Sequence, residues 1–244
     1  MLGGRGRVVQ QAQGPRSAFA LQQFDLINGR LTDQEFFTGE DVRAYLEAAN
    51  HVDLPAPPAS SEGRIGAEEL PAEHLARLRD SDALLHVVRA FDDPGVPHPE
   101  GSIDAWRDLE RLDLEFTLAD LAMAERRLER LKATGRHGSR AERDANEREE
   151  AVLKRLHEAL SAGSPIRDVP LEPEEEKAIR GFRFLTQKPV LVLLNVGEGD
   201  LPAAPALVAS ISGRYVHRHA IVDALSGRIE MELGELEPDE AAVF

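Results

Sequence analysis

The chain has 244 residues and a formal net charge of −15 at pH 7, from 29 basic and 44 acidic side chains. It contains no cysteine, which excludes disulfide bridges, thiolate metal sites and cysteine nucleophiles. The length suits one large domain or two small ones, and the acidity argues against a broad nucleic-acid surface, because each phosphate contact needs a cation.

Targeting and membrane signals are also lacking in the sequence. No apolar run approaches the roughly 20 residues that a membrane span needs. The longest run, from Pro189 to Val196, has the length of a strand. Arg5 and Arg7 near the N-terminus are not followed by an apolar stretch, so we expect no signal peptide and a cytoplasmic location.

The chain alternates between strand-like and helix-like segments. Two continuous apolar runs predict strands buried on both faces, at 82–91 and 188–196. Weaker strand candidates lie at 6–9, 49–53 and 218–223. Helical patterns lie between them, at 17–24, 68–80, 174–185 and 202–211. This alternation predicts an α/β fold with a mostly parallel sheet and helices on its faces.

The middle of the chain predicts an antiparallel α-helical coiled-coil hairpin. Gly135-Arg-His-Gly138 separates its two helices, and Ser139-Arg-Ala-Glu142 has the S-x-x-E form of a capping box. The first helix has a leucine stripe, formed by Leu114, Leu118, Leu121, Leu128 and Leu131. The second has its own stripe, formed by Val152, Leu153, Leu156, Ala159 and Leu160. The predicted organisation is an α/β domain (1–109 and 174–244) with a helical insertion (110–173).

Six stretches follow one another in a characteristic order and spacing: Ser81-Asp-Ala-Leu-Leu-His-Val-Val-Arg-Ala-Phe91, Val96-Pro-His-Pro-Glu-Gly-Ser-Ile-Asp104, Leu118-Ala-Asp-Leu121, Ala124-Glu-Arg-Arg-Leu128, Phe182-Arg-Phe-Leu-Thr-Gln-Lys-Pro-Val190 and Asn195-Val-Gly-Glu198. In that order and spacing they closely resemble the YchF group of Obg-like ATPases, a translation-factor-related branch of the P-loop GTPase class. The resemblance extends from about residue 70 to 237. It implies a P-loop NTPase-type α/β fold with a coiled-coil insertion, as the alternation and the stripes also predict.

The resemblance assigns a base-binding element. Asn195 and Glu198 match the family's Asn-x-x-Glu, which replaces the guanine-reading Asn-Lys-x-Asp and goes with a preference for ATP. The later stretch at 226–233 is similar to the family's last nucleotide loop, which leads into a helix. Asn195 and Glu198 are therefore the expected contacts to the base of an adenine nucleotide.

The segment that resembles the phosphate loop departs from the G-x-x-x-x-G-K-[ST] pattern. Aligned on the family, Gln10 and Pro15 stand at the two glycines and Arg16-Ser17 at the Lys-Ser pair. Proline has no N–H to donate to a phosphate and cannot adopt positive φ. The guanidinium group of arginine is planar and forked, whereas the lysine ammonium that it replaces is a compact point charge. This predicts weak or absent triphosphate binding. An unrelated N-terminal strand and loop is the alternative interpretation.

The second phosphate-sensing element is altered too. Asp53-Leu-Pro-Ala56 matches the family's Asp-x-Ala-Gly but lacks the glycine. By resemblance, Ser17 and Asp53 are the remaining candidates for holding Mg²⁺ with ATP, and no other metal site is predicted. The family's small C-terminal TGS domain has no counterpart before Phe244.

These observations predict a divergent YchF-like nucleotide-fold module with little or no ATPase activity, which acts in binding or regulation. The first alternative is an active phosphoanhydride hydrolase in which Arg16 takes the lysine role. The second is a coiled-coil interaction protein whose basic hairpin tip, with Arg136 and Arg140 at its centre, contacts RNA or the ribosome. A solvated helix face is the simpler interpretation of that tip. The sequence does not indicate an oligomeric state.

Overall fold

The computed structural model describes residues 19–25, 30–37, 70–98, 100–134, 139–234 and 236. The strands predicted at 6–9 and 49–53 lie outside these ranges.

The chain forms two units, which we name by their content. The sheet unit comprises Met1–Ile65, Ala83–Trp106 and Val190–Phe244, and the helical unit comprises Gly66–Asp82 and Arg107–Pro189. Residues 66–82 and 174–189 thus group with the helix pair. The predicted boundaries of the α/β domain (1–109 and 174–244) and of the helical insertion (110–173) stay a prediction.

An antiparallel hairpin comes first in the chain. Strand β1 (Phe19–Asp25) pairs with strand β2 (Arg30–Phe37), and Phe19 lies opposite Phe37. The prediction of a helix at 17–24 is therefore wrong. Asn28-Gly29, a dipeptide typical of hairpin turns, lies between the two strands, and pairing with the second strand outweighs the weak helical pattern of the first.

The main sheet has three parallel strands. They are β3 (Leu84–Ala90), β4 (Val190–Val196) and β5 (Ala220–Leu225), in the order β3-β4-β5. The three strands predicted in these regions are confirmed. β4 is mostly buried, as expected, but Leu85 and Val87 of β3 are 41% and 55% exposed. The prediction that both faces of β3 are buried is wrong, because a continuous apolar run does not reveal whether both of its faces are covered.

The helical unit contains four helices: α1 (Ala72–Asp80), α2 (Ala105–Thr134), α3 (Arg140–Ser161) and α4 (Pro173–Ile179). The first two residues of α2 belong to the sheet unit. α2 and α3 are antiparallel, because Arg127 binds Glu149 at 2.6 Å and Glu125 lies 3.2 Å from His157. The predicted helix pair is confirmed, whereas its coiled-coil packing stays a prediction. Within the described residues, no helix has both the length and the apolarity needed to cross a bilayer.

Local capping signals are confirmed at two helix starts. The Ser139 hydroxyl accepts the Glu142 N–H, and the Glu142 carboxylate accepts the Ser139 N–H at 2.7 Å, which lowers the pKa of Glu142. α4 starts at Pro173 with acidic residues in its first turn, as its sequence predicts. It ends at Ile179, earlier than predicted, and short 3₁₀ turns follow at Arg180–Phe182 and Leu185–Gln187.

The leucine stripe predicted for α2 is partly wrong. Leu128 and Leu131 are buried, but Leu114 and Leu118 are 57% and 54% exposed. Phe116, Thr117, Asp120 and Ala124 take the buried positions in that half of the helix. On α3 the stripe is largely correct, with four of its five residues buried. Together with segments that follow α3, both helices form one core: Ala124, Leu128, Leu131, Val152, Leu153, Leu156, Leu160, Ile166, Ile179 and Phe184.

A polar cluster is buried in the helical unit, and we call it the Asp120 cluster. The Asp120 side chain has no exposed surface and binds Arg79 Nη1 at 2.8 Å. It also accepts the Thr186 backbone N–H at 2.8 Å and the Thr186 hydroxyl at 2.9 Å. Lys188 Nζ donates to the carbonyl oxygens of Arg79 and Ser81, and burial lowers the pKa of Lys188. The cluster thus joins the end of α1 to the middle of α2 and to the residues before β4.

Two helices complete the sheet unit. A 3₁₀ segment, Glu198–Ala203, leads from β4 into α5 (Ala204–Ser212), and α6 (Gly227–Gly234) follows β5. The helix predicted at 202–211 is confirmed. Each helix starts at the carboxyl edge of the sheet, which is where ligands bind in open α/β sheets.

Candidate nucleotide-base site

Polar residues gather where β3, β4 and β5 end. In the strand register, Arg89 of β3 pairs with Asn195 of β4, and Asn195 pairs with Leu225 of β5. Because the strands are parallel, the residues that follow each strand emerge at one edge. Asn195 and Glu198, the two predicted base contacts, lie at this edge with Ser226 and Gly227.

The Asn195 side chain is oriented by the start of α6. Its Oδ1 atom accepts the Gly227 N–H at 2.9 Å. Of the two polar atoms of a side-chain amide only the oxygen accepts an N–H, so this bond fixes which way round the Asn195 amide lies. A Cβ atom on Gly227 would lie 3.2 Å from both Oδ1 and Nδ2 of Asn195, so glycine allows this close approach.

Glu198 begins the 3₁₀ segment after β4, and its side chain is exposed. The preceding Gly197 is in a crowded position, because a Cβ atom there would lie 2.8 Å from Asp200 Oδ2 and 3.6 Å from Phe91 Cβ. The Gly197 carbonyl accepts the Asp200 N–H at 3.0 Å. The turn after β4 therefore places a carboxylate three residues from the Asn195 amide.

Ser226 adds a buried hydroxyl to this edge. The residue is 3% exposed, and its Oγ atom has no hydrogen-bond partner among the described residues. A serine directly before a helix ordinarily caps the helix with its hydroxyl. An unpaired buried hydroxyl is unfavourable by about 1–3 kcal/mol, so this position suits a polar ligand atom or an ordered water.

The loop after β3 is organised around Arg89. Its guanidinium donates to the carbonyl oxygens of Phe91 at 3.0 Å and Val96 at 2.7 Å. The same group lies over the Phe91 ring, 4.7 Å from its centroid. Phe91 is therefore held beside Gly197, in the turn that separates Asn195 from Glu198.

Arg228 gives the start of α6 a positive charge. Its Nε atom binds Glu232 at 3.0 Å. The hydrogen bond to Glu232 is the main cause of the raised pKa of Arg228, and the charge of Glu198 contributes less. Both side chains of this pair are largely exposed, so the contribution of the ion pair to stability is small.

The other predicted site residues are not brought together by the described structure. Arg16, Ser17, Asp53 and Arg136 lie outside the described residues, so the phosphate and Mg²⁺ assignments stay predictions. Arg140 is the exposed first residue of α3. In the part of the chain that the structure describes, no three His, Asp or Glu side chains form a metal-binding group.

Sequence reasoning missed Ser226, Gly227 and Phe91 as individual site residues. The stretch at 226–233 was assigned to a nucleotide loop only by resemblance, and Phe91 only as the end of a strand. A Ser-Gly pair directly after a strand and before a helix is the signal that points to the first two. The distance of 32 residues between Asn195 and Gly227 hides their contact from local patterns.

Comparisons with known proteins point to one family, although no family model matches the chain. The ribosome-binding ATPase YchF of Bacillus subtilis is 33% identical over 185 residues, which is 75% of this chain and 50% of that protein. The protein of the same name from Haemophilus ducreyi is 34% identical, over 75% of this chain and 49% of its own length. Obg-like ATPase 1 of Schizosaccharomyces pombe is 36% identical over 128 residues, 52% of this chain and 33% of that protein.

A solved structure agrees with these relatives. The structure of the Schizosaccharomyces pombe YchF GTPase matches with a TM-score of 0.61 and 28% identity, over 70% of this chain and 46% of that chain. The chain spans about half the length of the curated YchF relatives it matches. Its α/β fold, with a three-stranded parallel sheet and a long helix pair, resembles that structure. The chain belongs to the YchF/Obg-like ATPase family.

Proposed function

We propose that this chain is a divergent YchF-type nucleotide-fold module that binds the base of an adenine nucleotide and has little or no ATPase activity. The supporting observation is a contrast between two parts of the sheet unit. The base-reading edge has an oriented amide, a nearby carboxylate and a buried hydroxyl, whereas the residues after the aligned phosphate loop form a strand.

The base edge has the chemistry that an adenine ring requires. Asn195 Nδ2 is a donor suited to a ring nitrogen, and the Glu198 carboxylate is an acceptor suited to an exocyclic amine. Because Oδ1 is bound to Gly227, the amide is oriented before the ligand arrives, which reduces the ordering cost of binding. Ser226 Oγ offers a further polar contact.

The phosphate side lacks the element on which a phosphate loop depends. Such a loop binds phosphates at the N-terminus of the helix that directly follows the Lys-Ser pair. Here β1 starts at Phe19, two residues after Ser17, so no helix N-terminus follows at that point. The start of a strand at this point, together with Pro15 and Arg16, supports weak binding of the triphosphate. Mg²⁺ binding at Ser17 and Asp53 stays an expectation from the sequence.

Titrating the purified chain with adenosine, ADP and ATP in the presence of Mg²⁺ tests the proposal. If the base provides most of the affinity, the three dissociation constants should agree within about threefold, a difference of less than about 1 kcal/mol. Isothermal titration calorimetry gives the affinities, and a phosphate-release assay should show no turnover above that of buffer. Micromolar ATP binding with turnover would support the active-ATPase alternative, in which Arg16, Ser17 and Asp53 handle the phosphates.

Two variants locate the binding to the proposed edge. Asn195→Ala should weaken adenosine binding by about tenfold, since one hydrogen bond to the ligand and the contact to Gly227 are lost. Asn146→Ala on α3 makes the same chemical change away from the edge and should leave affinity unchanged. Equal affinities for all three proteins would place the ligand elsewhere and contradict the assignment.

A second candidate function uses the helix pair. Between residues 126 and 148 the sequence has eight arginine or lysine side chains and four acidic ones, in a chain whose net charge is −15. Arg127 is held in a bidentate pair with Glu149, at 2.6 and 2.8 Å. Arg126, Lys132, Arg140, Arg143 and Arg148 are exposed. Because the bacterial relatives are named ribosome-binding, these exposed cations support the proposed contact with ribosomal RNA.

Cosedimentation with purified bacterial ribosomes over a salt series tests this contact. Reversing the charge at Arg136 and Arg140 should lower the slope of log affinity against log salt by about 1.5–2, because about two phosphate contacts are lost. Arg77→Glu with Lys177→Glu makes the same change in net charge on α1 and α4 and should keep the wild-type slope. Binding that is unaffected by the first pair would remove the tip from the proposal.

A further inference from the structure

Two charged residues are buried in the helical unit, Asp120 and Arg167, which are 0% and 6% exposed. No other charged residue is as deeply buried in the part of the chain that the structure describes. Asp120 has its opposite charge in the Asp120 cluster, where Arg79 Nη1 lies 2.8 Å away. Arg167 differs, because no described carboxylate lies within ion-pair distance of its guanidinium group.

Arg167 is held in place by the segment that precedes β4. It lies in a 3₁₀ turn, Ile166–Asp168, which follows α3. Its Nε atom donates to the Lys188 carbonyl at 3.0 Å. The N–H of Ile166, the first residue of the turn, donates to the Thr186 hydroxyl at 3.3 Å. The turn is therefore tied to the segment before β4 at two points, and the guanidinium group is positioned by groups that are already ordered.

Most of the hydrogen-bond donors of Arg167 are not used within the described residues. A guanidinium group has five N–H donors, and the Lys188 carbonyl accepts one of them. The four N–H groups on Nη1 and Nη2 have no acceptor among the described residues. Neither nitrogen is fully enclosed, so the end of the guanidinium group reaches solvent although the rest of the side chain is buried. The fork of donors is thus accessible to a small ligand.

The groups around Arg167 do not offset its positive charge. Lys188, whose carbonyl accepts from Arg167, is itself a half-buried cation. Its Nζ atom donates to the carbonyl oxygens of Arg79 and Ser81, and burial is the main cause of its lowered pKa. The buried carboxylate of the unit, Asp120, is already bound by Arg79. A buried charge is unfavourable unless an opposite charge and hydrogen bonds compensate it, so Arg167 favours the binding of an anion.

We propose that the Arg167 guanidinium group is a binding site for a small free oxyanion, such as phosphate or sulfate, whose two oxygen atoms accept from Nη1 and Nη2. Guanidinium groups bind such anions through two parallel hydrogen bonds, because the two donors match the spacing of two oxygens. Water also accepts from these N–H groups, but only an anion compensates the charge as well. The small exposed area of Arg167 favours a free ion over a phosphate group on a bulky molecule. This proposal is independent of the nucleotide-base site and of the helix-pair tip.

Nuclear magnetic resonance of the full ¹⁵N-labelled chain tests the proposal, with sodium sulfate and sodium phosphate as probes and sodium chloride holding the ionic strength constant. We expect saturable shifts of the Arg167 Nε–H signal and of the backbone amides of Arg167 and Asp168. Arg167→Gln removes the charge and the fork and should weaken binding by about tenfold or more. Arg167→Lys keeps the charge without the fork and should give an intermediate affinity. The matched control, Arg143→Gln at an exposed position of α3, should leave the affinity unchanged.

Three outcomes would overturn the proposal. The first is the absence of saturable shifts at Arg167 in the wild-type chain with either anion at up to about 10 mM, a result that does not depend on the folding of any variant. The second is an equal loss of affinity in Arg167→Gln and Arg143→Gln, which would indicate a non-specific charge effect. The third is binding of phenyl phosphate at the same signals as tightly as of phosphate, which would replace the free ion by a phosphate group on a larger molecule.

Discussion

Replacing Asp120 with alanine should lower the free energy of unfolding by about 3–5 kcal/mol, because it leaves a nearly buried guanidinium without its partner. The Arg79 side chain is only 14% exposed, and Asp120 is its ion-pair partner. The same substitution removes the acceptor of both the Thr186 N–H and the Thr186 hydroxyl. Urea denaturation followed by circular dichroism at 222 nm measures the loss.

Two further variants separate the buried charge from a general effect of substitution. Asp144→Ala, at an exposed position on α3, should change the free energy of unfolding by less than about 0.5 kcal/mol. Arg79→Met combined with Asp120→Leu removes both charges and should recover part of the loss, since an apolar pair of similar volume replaces a buried ion pair well. A small effect of Asp120→Ala, similar to that of Asp144→Ala, would mean that the cluster contributes little to stability.

Features set by neighbouring residues were predictable from the sequence. The capping box of Ser139 and Glu142 depends on two residues three positions apart, and both of its hydrogen bonds are present. β3, β4 and β5 follow from short apolar runs, and the helix pair follows from two striped segments with a glycine-containing break. In each case the pattern that predicts the element lies within it or directly beside it.

Features set by distant residues were not predictable in this way. The leucine pattern suggested that Leu114 and Leu118 face the core, but that half of α2 buries Asp120 instead. Asp120 is stable there because its partners, Arg79 and Thr186, lie 41 and 66 residues away in the chain. The wrong prediction for β1 has a different cause, because β1 pairs with the next segment of the chain, β2, and this pairing decides its conformation.

The proposed base edge combines a local feature with a distant one. Asn195 and Glu198 were identified through the resemblance of a four-residue element, and the structure places them directly at the end of β4. The contact that orients Asn195 comes from Gly227 after β5, and Phe91 after β3 lies beside Gly197. A site assembled from three strand ends requires the sheet register, which the sequence alone does not provide.

Leu156→Ala in α3 should destabilise the protein by about 2–5 kcal/mol, because it leaves a cavity in the core between the two long helices. Leu156 has no exposed surface and belongs to the core that the helix pair forms with the segments after α3. Leu118→Ala in α2 should cost less than about 1 kcal/mol, since more than half of that side chain already contacts solvent. Urea midpoints of the two variants measure this difference.

The comparison between these two leucines also tests whether another surface covers Leu118 of α2 in solution. The leucine pattern of the sequence predicts similar losses at both positions, whereas the structure predicts a several-fold difference. Losses of equal size would mean that Leu118 is covered in solution, by this chain or by a second copy. Repeating the denaturation at several protein concentrations distinguishes these two cases, because only contact with a second copy makes the midpoint concentration-dependent.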